Sequence, residues 1–170
     1  MTDSVSVQLP TLAVLGPGDA SPDEVAVAQR VGGLAASCGW VVVSGGGPGV
    51  MEAACRGAVE AGGLTVGILP SDRPTRGYPN RWIRIPIYTG AGMARNVFNV
   101  LSASLCVALG GGPGTLSEVA IAMKAGVPVW CWKSWSINPP RPTGFEMPVV
   151  IDSEEELLSR LEHELRRHSR

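Results

Sequence analysis

Short apolar runs alternate with segments of helical periodicity along most of the chain. The apolar runs have the length of buried strands and are bounded by glycine, proline or polar residues. They predict strands at residues 12–15, 40–43, 64–69, 83–88, 105–109, 127–131 and 148–151. Because the runs are apolar almost throughout, they favour a parallel sheet covered on both faces rather than a sheet with one face in solvent.

The segments between the strands predict helices. Ser21 and Ser153 each precede a glutamate by three residues, which is the capping-box pattern of a helix start. The predicted helices lie at about 22–38, 50–61, 93–103, 115–124 and 153–168. Strands that alternate with helices predict a single Rossmann-like α/β domain over residues 1–170, a doubly wound parallel sheet with helices on both faces. Its core is expected at about 11–151, followed by the terminal helix at about 153–168.

Composition and net charge limit the binding partners and the cellular location that we expect for the protein. A net charge of −1 argues against bulk electrostatic attraction to nucleic acid or to an anionic membrane. The first residues lack the basic start and apolar run of a signal peptide, and no apolar run approaches the length of a membrane span. The four cysteines are far apart and both histidines lie in the charged tail. We therefore expect a cytoplasmic protein with reduced thiols, no metal site and no histidine catalysis.

Two strands run directly into the same glycine-rich loop. The letters GGGPG follow Ser44 and again follow Leu109, and a helix begins behind each copy. Glycine backbone at a helix start lets N–H groups approach an anion, and a third glycine turn ends the first strand. In a parallel sheet all three turns meet beyond the carboxyl ends of the strands. We therefore predict one phosphate-binding cleft formed by Gly16, Gly18, Ser44, Gly45, Gly46, Gly47, Gly49, Met51, Gly110, Gly111, Gly112, Pro113, Gly114 and Thr115.

The glycine loops do not match the common nucleotide motifs. Both lack the third glycine of the dinucleotide fingerprint, and neither continues into the Gly-Lys-Ser/Thr of a Walker A loop. NAD binding and ATP hydrolysis are therefore poorly supported. A smaller phosphate group remains, such as that of a nucleoside monophosphate or a pterin phosphate. The alternative for a single loop is tight packing of a strand on a helix, but the repetition favours binding.

Polar residues near the loops are candidates for contact with the ligand. Glu118 is placed to bind ribose hydroxyls or to assist glycosidic cleavage by proton transfer, unless it only forms a capping box with Thr115. Arg95, with Asn96 beside it, is favoured as a fork for a phosphate or carboxylate over a solvated helix residue. The arginine-rich loop at 71–82 is either a lid or a solvated loop. The tryptophans around 130–135 are candidates to line a subunit contact or the wall of a site that binds a ring. The alternative is ordinary packing in the core or on the surface.

These residues resemble those of a known superfamily. Ser44–Gly63, Ala94–Asn96 and Gly111–Glu118 are similar to the Lonely Guy-type superfamily, whose members long carried a lysine decarboxylase label. Leu15–Asp19 and the stretch GPGTLSEVAIAMKAGVPV are similar to its branch of molybdenum-cofactor-carrier-like proteins. The resemblance covers most of the chain and implies a Rossmann-like fold that forms homo-oligomers, either dimers or tetramers.

The resemblance also implies roles for particular residues. In the phosphoribohydrolase members, residues matching Glu118 and Arg95 are the catalytic pair that releases a base from a nucleoside 5′-monophosphate. The nucleotide phosphate is bound there by positions that match Gly111, Gly112, Gly114 and Thr115. In this chain Gly110 replaces the leading proline of that motif, and Gly-Met-Ala-Arg-Asn replaces Met-His-x-Arg-Lys. These departures favour the carrier-like branch, whose members bind the phosphorylated pterin of the molybdenum cofactor.

The leading hypothesis is a homo-oligomeric carrier or binding protein for a phosphorylated small molecule. That ligand is a molybdenum-cofactor-like pterin phosphate or a nucleoside monophosphate, and no nucleic acid, membrane or required cofactor is expected. The alternative is a nucleoside 5′-monophosphate phosphoribohydrolase that uses Glu118 and Arg95. A lysine decarboxylase is rejected, because pyridoxal phosphate needs a Schiff-base lysine, and neither Lys124 nor Lys133 lies at a strand end facing the cleft.

Overall fold

A computed structural model of the chain describes residues 8–141 and 144–168. The strands are β1 (Thr11–Leu15), β2 (Val41–Ser44), β3 (Thr65–Leu69), β4 (Ile85–Tyr88), β5 (Leu105–Leu109), β6 (Val129–Trp132) and β7 (Val149–Ile151). The helices are α1 (Pro22–Ser37), α2 (Val50–Glu60), α3 (Arg95–Leu101), α4 (Pro113–Ala125) and α5 (Glu154–Arg167). Each predicted strand and helix is present, with small shifts at the ends.

The strands form one parallel sheet in the order β4-β3-β2-β1-β5-β6-β7. Strand β1 pairs with β2 on one side and with β5 on the other, so the direction of winding reverses between β1 and β5. The loops that follow these two strands leave the sheet toward opposite faces. In doubly wound sheets this divergence opens a crevice at the carboxyl ends of the strands, where ligands bind.

Helices cover both faces of the sheet, as predicted. Along β1, Leu12 and Val14 pack into a core shared with α1, α2 and α5, whereas Ala13 and Leu15 pack into a second core with α3 and α4. The central strands are therefore buried on both sides, which accounts for their nearly continuous apolar runs. No helix in the described part of the chain has the length and apolar character needed to cross a membrane.

The edge strand β4 is shorter than predicted. It begins at Ile85 rather than at residue 83, because the side chain of Thr65 holds the residues that precede it. The Thr65 hydroxyl donates a hydrogen bond to the Trp82 carbonyl at 2.6 Å and accepts one from the Arg84 amide at 2.9 Å. These side-chain hydrogen bonds delay the start of regular pairing with β3.

Candidate ligand-binding site

A cavity of about 280 Å³ lies at the carboxyl ends of β1 and β5, where the winding of the sheet reverses. It has the position expected for a ligand site in this class of fold. The residues of the predicted site that line it are Gly16, Gly18, Gly45, Met51, Arg95, Asn96, Gly112, Gly114, Thr115 and Glu118. Val14, Leu15 and Pro17 complete the lining. The structure therefore brings together residues from four separate parts of the sequence.

The N-terminus of α4 opens onto this cavity. The helix begins at Pro113, and its N-cap residue, Gly112, provides no side-chain hydrogen bond to the first turn. A Cβ atom added at Gly112 would meet no heavy atom within 4 Å of it. The amide groups of Gly114 and Thr115 are therefore the first N–H donors of an uncapped helix start, where the helix dipole favours an anion.

The position of this helix start also decides between the two interpretations of Glu118. A capping box would require Thr115 to be the N-cap residue, but Thr115 lies inside the first turn, two residues after Pro113. Glu118 does not cap the helix. Its side chain is buried, with 6% of the residue exposed, and it lines the cavity.

Two side chains from α3 hold the Glu118 carboxylate. The Asn99 amide donates to Glu118 Oε1 at 2.8 Å, and Arg95 Nη1 lies 3.4 Å from the same oxygen. Burial raises the pKa of the Glu118 carboxyl above its usual value near 4.5, while the Asn99 hydrogen bond and the positive charge of Arg95 act to lower it. A buried carboxyl beside an arginine in a cavity is a group suited to ligand binding or proton transfer.

Arg95 is seated by the first glycine loop. Its side chain is only 13% exposed, and its guanidinium packs against the backbone of Gly45. A Cβ atom at Gly45 would overlap the guanidinium, so any larger residue there would displace Arg95 from Glu118. Gly45 thus contributes to the site by making room for a cation that follows it by fifty residues in the sequence.

The two GGGPG loops are not equivalent in the structure. The first amide of α2, that of Val50, donates to the Pro17 carbonyl at 3.1 Å, so this helix start is partly closed. Ser44, Gly46, Gly47 and Gly49 lie beside the cavity and do not line it. Asn80 binds the carbonyl groups of Gly46 and Gly47 at 2.7 and 2.9 Å, which fixes this loop against the end of the 71–82 segment. A phosphate role for these four residues stays a prediction.

The remaining residues of the second loop have packing partners outside the cavity. A side chain on Gly110, whose φ is +66°, would overlap the Glu24 carboxylate, and a Cβ atom on Gly111 would lie 2.8 Å from the Trp135 ring. The Trp135 indole N–H also donates to the Gly112 carbonyl at 3.1 Å. Trp135 therefore packs behind the second glycine loop, and Gly110, Gly111 and Pro113 do not line this cavity.

A larger cavity of about 650 Å³ adjoins the first. The two cavities share Arg95, Asn96 and Gly114, and the larger one is mostly apolar. Its other lining residues include Pro70, Tyr78, Met93, Val97, Pro113 and Ile121. The arginines of the 71–82 loop are exposed and line neither cavity, whereas Tyr78 of the same loop lines the larger one.

Asn99 is the site residue that the sequence analysis missed. It lies one helical turn after Arg95, so both side chains leave the same face of α3 toward Glu118. The four-residue spacing between Arg95, already a candidate ligand-binding residue, and Asn99 is the sequence signal that could have identified Asn99. No group of three or more His, Cys, Asp or Glu side chains that could hold a metal ion occurs within residues 8–141 and 144–168.

The chain is similar to several known proteins. A protein of Archaeoglobus fulgidus is 42% identical over 120 residues, which make up 71% of this chain and 78% of that protein. The molybdenum cofactor binding protein from the phototrophic bacterium Rippkaea orientalis is 38% identical, with a TM-score of 0.72 over 93% of this chain and 87% of that one. The Moco carrier protein from Chlamydomonas reinhardtii is 33% identical, with a TM-score of 0.76 over 94% and 99%.

These comparisons confirm the similarity to molybdenum-cofactor carrier proteins that the sequence indicated, and they confirm the Lonely Guy-type assignment at the level of the superfamily. A sequence model of one family matches residues 9–161, which is most of the chain. The chain belongs to the SLOG cluster4 family.

Proposed function

We propose that this chain is a carrier or binding protein for a phosphorylated small molecule, whose phosphate lies at the N-terminus of α4. The observation that supports this most strongly is the uncapped helix start at Gly112–Thr115, which opens onto a cavity that also contains Arg95. A helix N-terminus carries about half a positive charge and presents unpaired N–H donors to an anion. Cys38, Cys55, Cys106 and Cys131 are buried and form no disulfide among the described residues, which is compatible with the cytoplasmic location that we propose.

The second cavity supports a ligand with an organic group of substantial size. It adjoins the phosphate position through Arg95, Asn96 and Gly114, and its walls are mostly apolar. Such walls suit a flat heterocyclic ring better than a second charged group. A molybdenum-cofactor-like pterin phosphate is the ligand we favour, since solved relatives at 38% and 33% identity bind or carry that cofactor. A nucleoside monophosphate has the same combination of phosphate and ring.

A second candidate function is hydrolysis of a nucleoside 5′-monophosphate. The observation that favours it is the buried Glu118 carboxyl beside Arg95 in the cavity, because burial raises its pKa and so favours the protonated form that a proton donor needs. In this reaction the bond from ribose C1′ to the base nitrogen breaks, water adds at C1′, and the base leaves with a proton. The products are the free base and ribose 5-phosphate. Arg95 would hold the substrate and keep Glu118 in place.

The experiment that separates these functions follows binding and turnover in the same samples. Purified protein is titrated with AMP, GMP and a pterin phosphate by calorimetry, and each mixture is then analysed for free base by chromatography. A carrier binds at least one of these ligands and releases no base, whereas a hydrolase releases base and loses that activity in Glu118→Gln.

Adenosine is the matched control for the phosphate. We expect it to bind at least about 100-fold more weakly than AMP, since it lacks the charge-assisted hydrogen bonds to the helix start. Equal affinity for adenosine and AMP, or no binding of any phosphorylated ligand, would contradict the proposed function.

We further propose that the chain forms homo-oligomers through the outer face of α3. Met93 is 90% exposed and Leu101 60%, and Phe98 and the edge-strand residues Ile85 and Ile87 are also exposed. Phe98 and Leu101 lie on α3, Met93 just precedes it, and the two isoleucines lie on the edge strand β4. Large exposed apolar side chains in these elements favour an interaction surface over a solvated one.

Leu101→Glu is expected to shift the protein toward monomers in sedimentation equilibrium, because it places a charge within that apolar surface. Val150→Glu is the control, since Val150 is 54% exposed but lies on the opposite edge of the sheet. A monomeric wild-type protein, or equal effects of the two substitutions, would contradict this interface.

A further inference from the structure

Asn99 is a fully buried amide between α3 and α4, with none of its surface exposed. Its Nδ2 atom donates to Glu118 Oε1 at 2.8 Å. Its Oδ1 atom is also buried and has no hydrogen-bond partner among the described residues. A buried amide oxygen without a partner is costly, so Asn99 is a poor choice for simple packing between two helices.

The contacts of Glu118 are concentrated on one of its two oxygens. Both Asn99 and Arg95 approach Oε1, at 2.8 and 3.4 Å. These two residues are four positions apart on α3, so they act from the same side of the carboxylate. Held by Oε1 in this way, the carboxylate can direct Oε2 to a ligand in the cavity that Glu118 lines.

We propose that Asn99 is the positioning residue of the site: its amide holds Glu118 by Oε1 and leaves Oε2 for the hydroxyl groups or ring nitrogens of the ligand. An amide is suited to this task because it has a donor and an acceptor. Asn99 Nδ2 donates to the ionised carboxylate, and after rotation of the amide Oδ1 can accept from the protonated carboxyl. Asn99 therefore keeps Glu118 in one place in both charge states, which a lysine or a leucine at this position could not do. Its hydrogen bond to the ionised carboxylate is charge-assisted and is therefore the stronger of the two.

The test measures the titration of Glu118 in the ligand-free protein. Glutamate is labelled with ¹³C at the carboxyl carbon, and the Glu118 signal is assigned by its loss in Glu118→Gln. In Asn99→Leu, which keeps the branched shape of the side chain but removes the amide, the pKa of Glu118 is expected to rise by about one unit, since the charged form loses its stronger hydrogen bond. If Asn99→Leu does not fold, Asn99→Ala removes the same donor without overfilling the helix interface.

Val100→Ala is the matched control, because Val100 is the next residue of α3 and is equally buried but makes no hydrogen bond to Glu118 through its side chain. Of the titratable groups that face Glu118, Arg95 is common to all variants. Burial raises the pKa of Cys106 to about 12, so this thiol stays neutral throughout the titration. An unchanged pKa of Glu118 in the Asn99 variant, or an equal rise in Val100→Ala, would overturn the proposal.

The ligand role of Asn99 rests on the proposed function and has its own measurement. Asn99→Leu is expected to weaken AMP binding about tenfold while the affinity for inorganic phosphate is unchanged, because phosphate alone does not reach Glu118 Oε2. If inorganic phosphate, AMP, GMP and the pterin phosphate all fail to bind the wild-type protein, the proposed function fails, while the carboxyl titration still reports on Asn99. Equal loss of affinity for both ligands in Asn99→Leu would refute the positioning role.

Discussion

Replacing Gly112 with valine is expected to weaken AMP binding at least about 100-fold while the protein stays folded. Gly112 lines the smaller cavity, and an added Cβ atom there would enter open space with no heavy atom within 4 Å. Its φ of −103° and ψ of −175° are extended values that valine adopts without strain. The new side chain therefore fills the space in front of the α4 amides without disturbing the core.

The thermal midpoint measured alongside the binding isotherm separates a blocked site from a damaged fold. We expect the melting temperature of Gly112→Val to fall by no more than about 4 °C, since valine is a somewhat poorer N-cap residue than glycine. Gly144→Val is the control, because a Cβ atom at Gly144 also meets nothing within 4 Å and Gly144 lies outside the cavity. Normal AMP affinity in Gly112→Val would show that the phosphate does not lie at this helix start.

Replacing Arg95 with methionine is expected to lower the free energy of unfolding at pH 7 by about 3 kcal/mol and to abolish measurable binding of AMP. Arg95 and Glu118 are both largely buried, with side chains 13% and 7% exposed. Loss of the cation leaves a buried carboxylate without its charge partner, which is more costly than loss of the pair as a whole. Urea denaturation measures the change.

The loss of stability in Arg95→Met should depend on pH, and the protonation of the Glu118 carboxyl determines whether it grows or shrinks as the pH rises. Its pKa in the folded protein is already raised above 4.5 by burial, and removal of Arg95 raises it further. When the pKa of a carboxyl is higher in the folded protein than in the unfolded protein, its contribution to stability is fully present at a pH below the unfolded-state pKa. That contribution is lost as the pH rises through the folded-state pKa. The deficit of Arg95→Met relative to the wild type should therefore be larger at pH 7 than at pH 5.

The double variant Arg95→Met with Glu118→Gln serves as the control for this interpretation. With no carboxyl at position 118, the dependence on pH between 5 and 7 should disappear, and part of the lost stability should return. A deficit of the same size at both pH values in Arg95→Met alone would mean that lost packing, and not an unpaired carboxylate, causes the destabilisation.

Much of the fold could be predicted from local patterns, because each strand and helix has its own periodicity and end signals. The apolar runs at 105–109 and 127–131 predicted strands correctly, the second with a shift at its ends, and Ser21 does cap α1. The ends were less certain where a distant side chain intervenes. The start of β4 depends on hydrogen bonds from Thr65, twenty residues earlier, and no local pattern contains them.

The site was predictable in its parts but not in its arrangement. Both glycine loops have identical letters, yet the amide of Val50 binds the Pro17 carbonyl while the start of α4 stays open. That difference arises because the loop after β1 supplies the Pro17 carbonyl to the start of α2. Gly45 is a second example. The sequence predicts that it contacts a phosphate, whereas in the structure the absence of a side chain at Gly45 makes room for Arg95. Contacts between distant segments decide both outcomes.

The claim that the start of α4 binds a phosphate is tested most directly by an NMR titration of ¹⁵N-labelled protein with ribose 5-phosphate. We predict that the amide signals of Gly114 and Thr115 show the largest saturable shifts, and that these shifts are retained in Gly144→Val and lost in Gly112→Val. Saturable shifts centred instead on the exposed arginines of the 71–82 loop, with Gly114 and Thr115 unmoved, would contradict the claim.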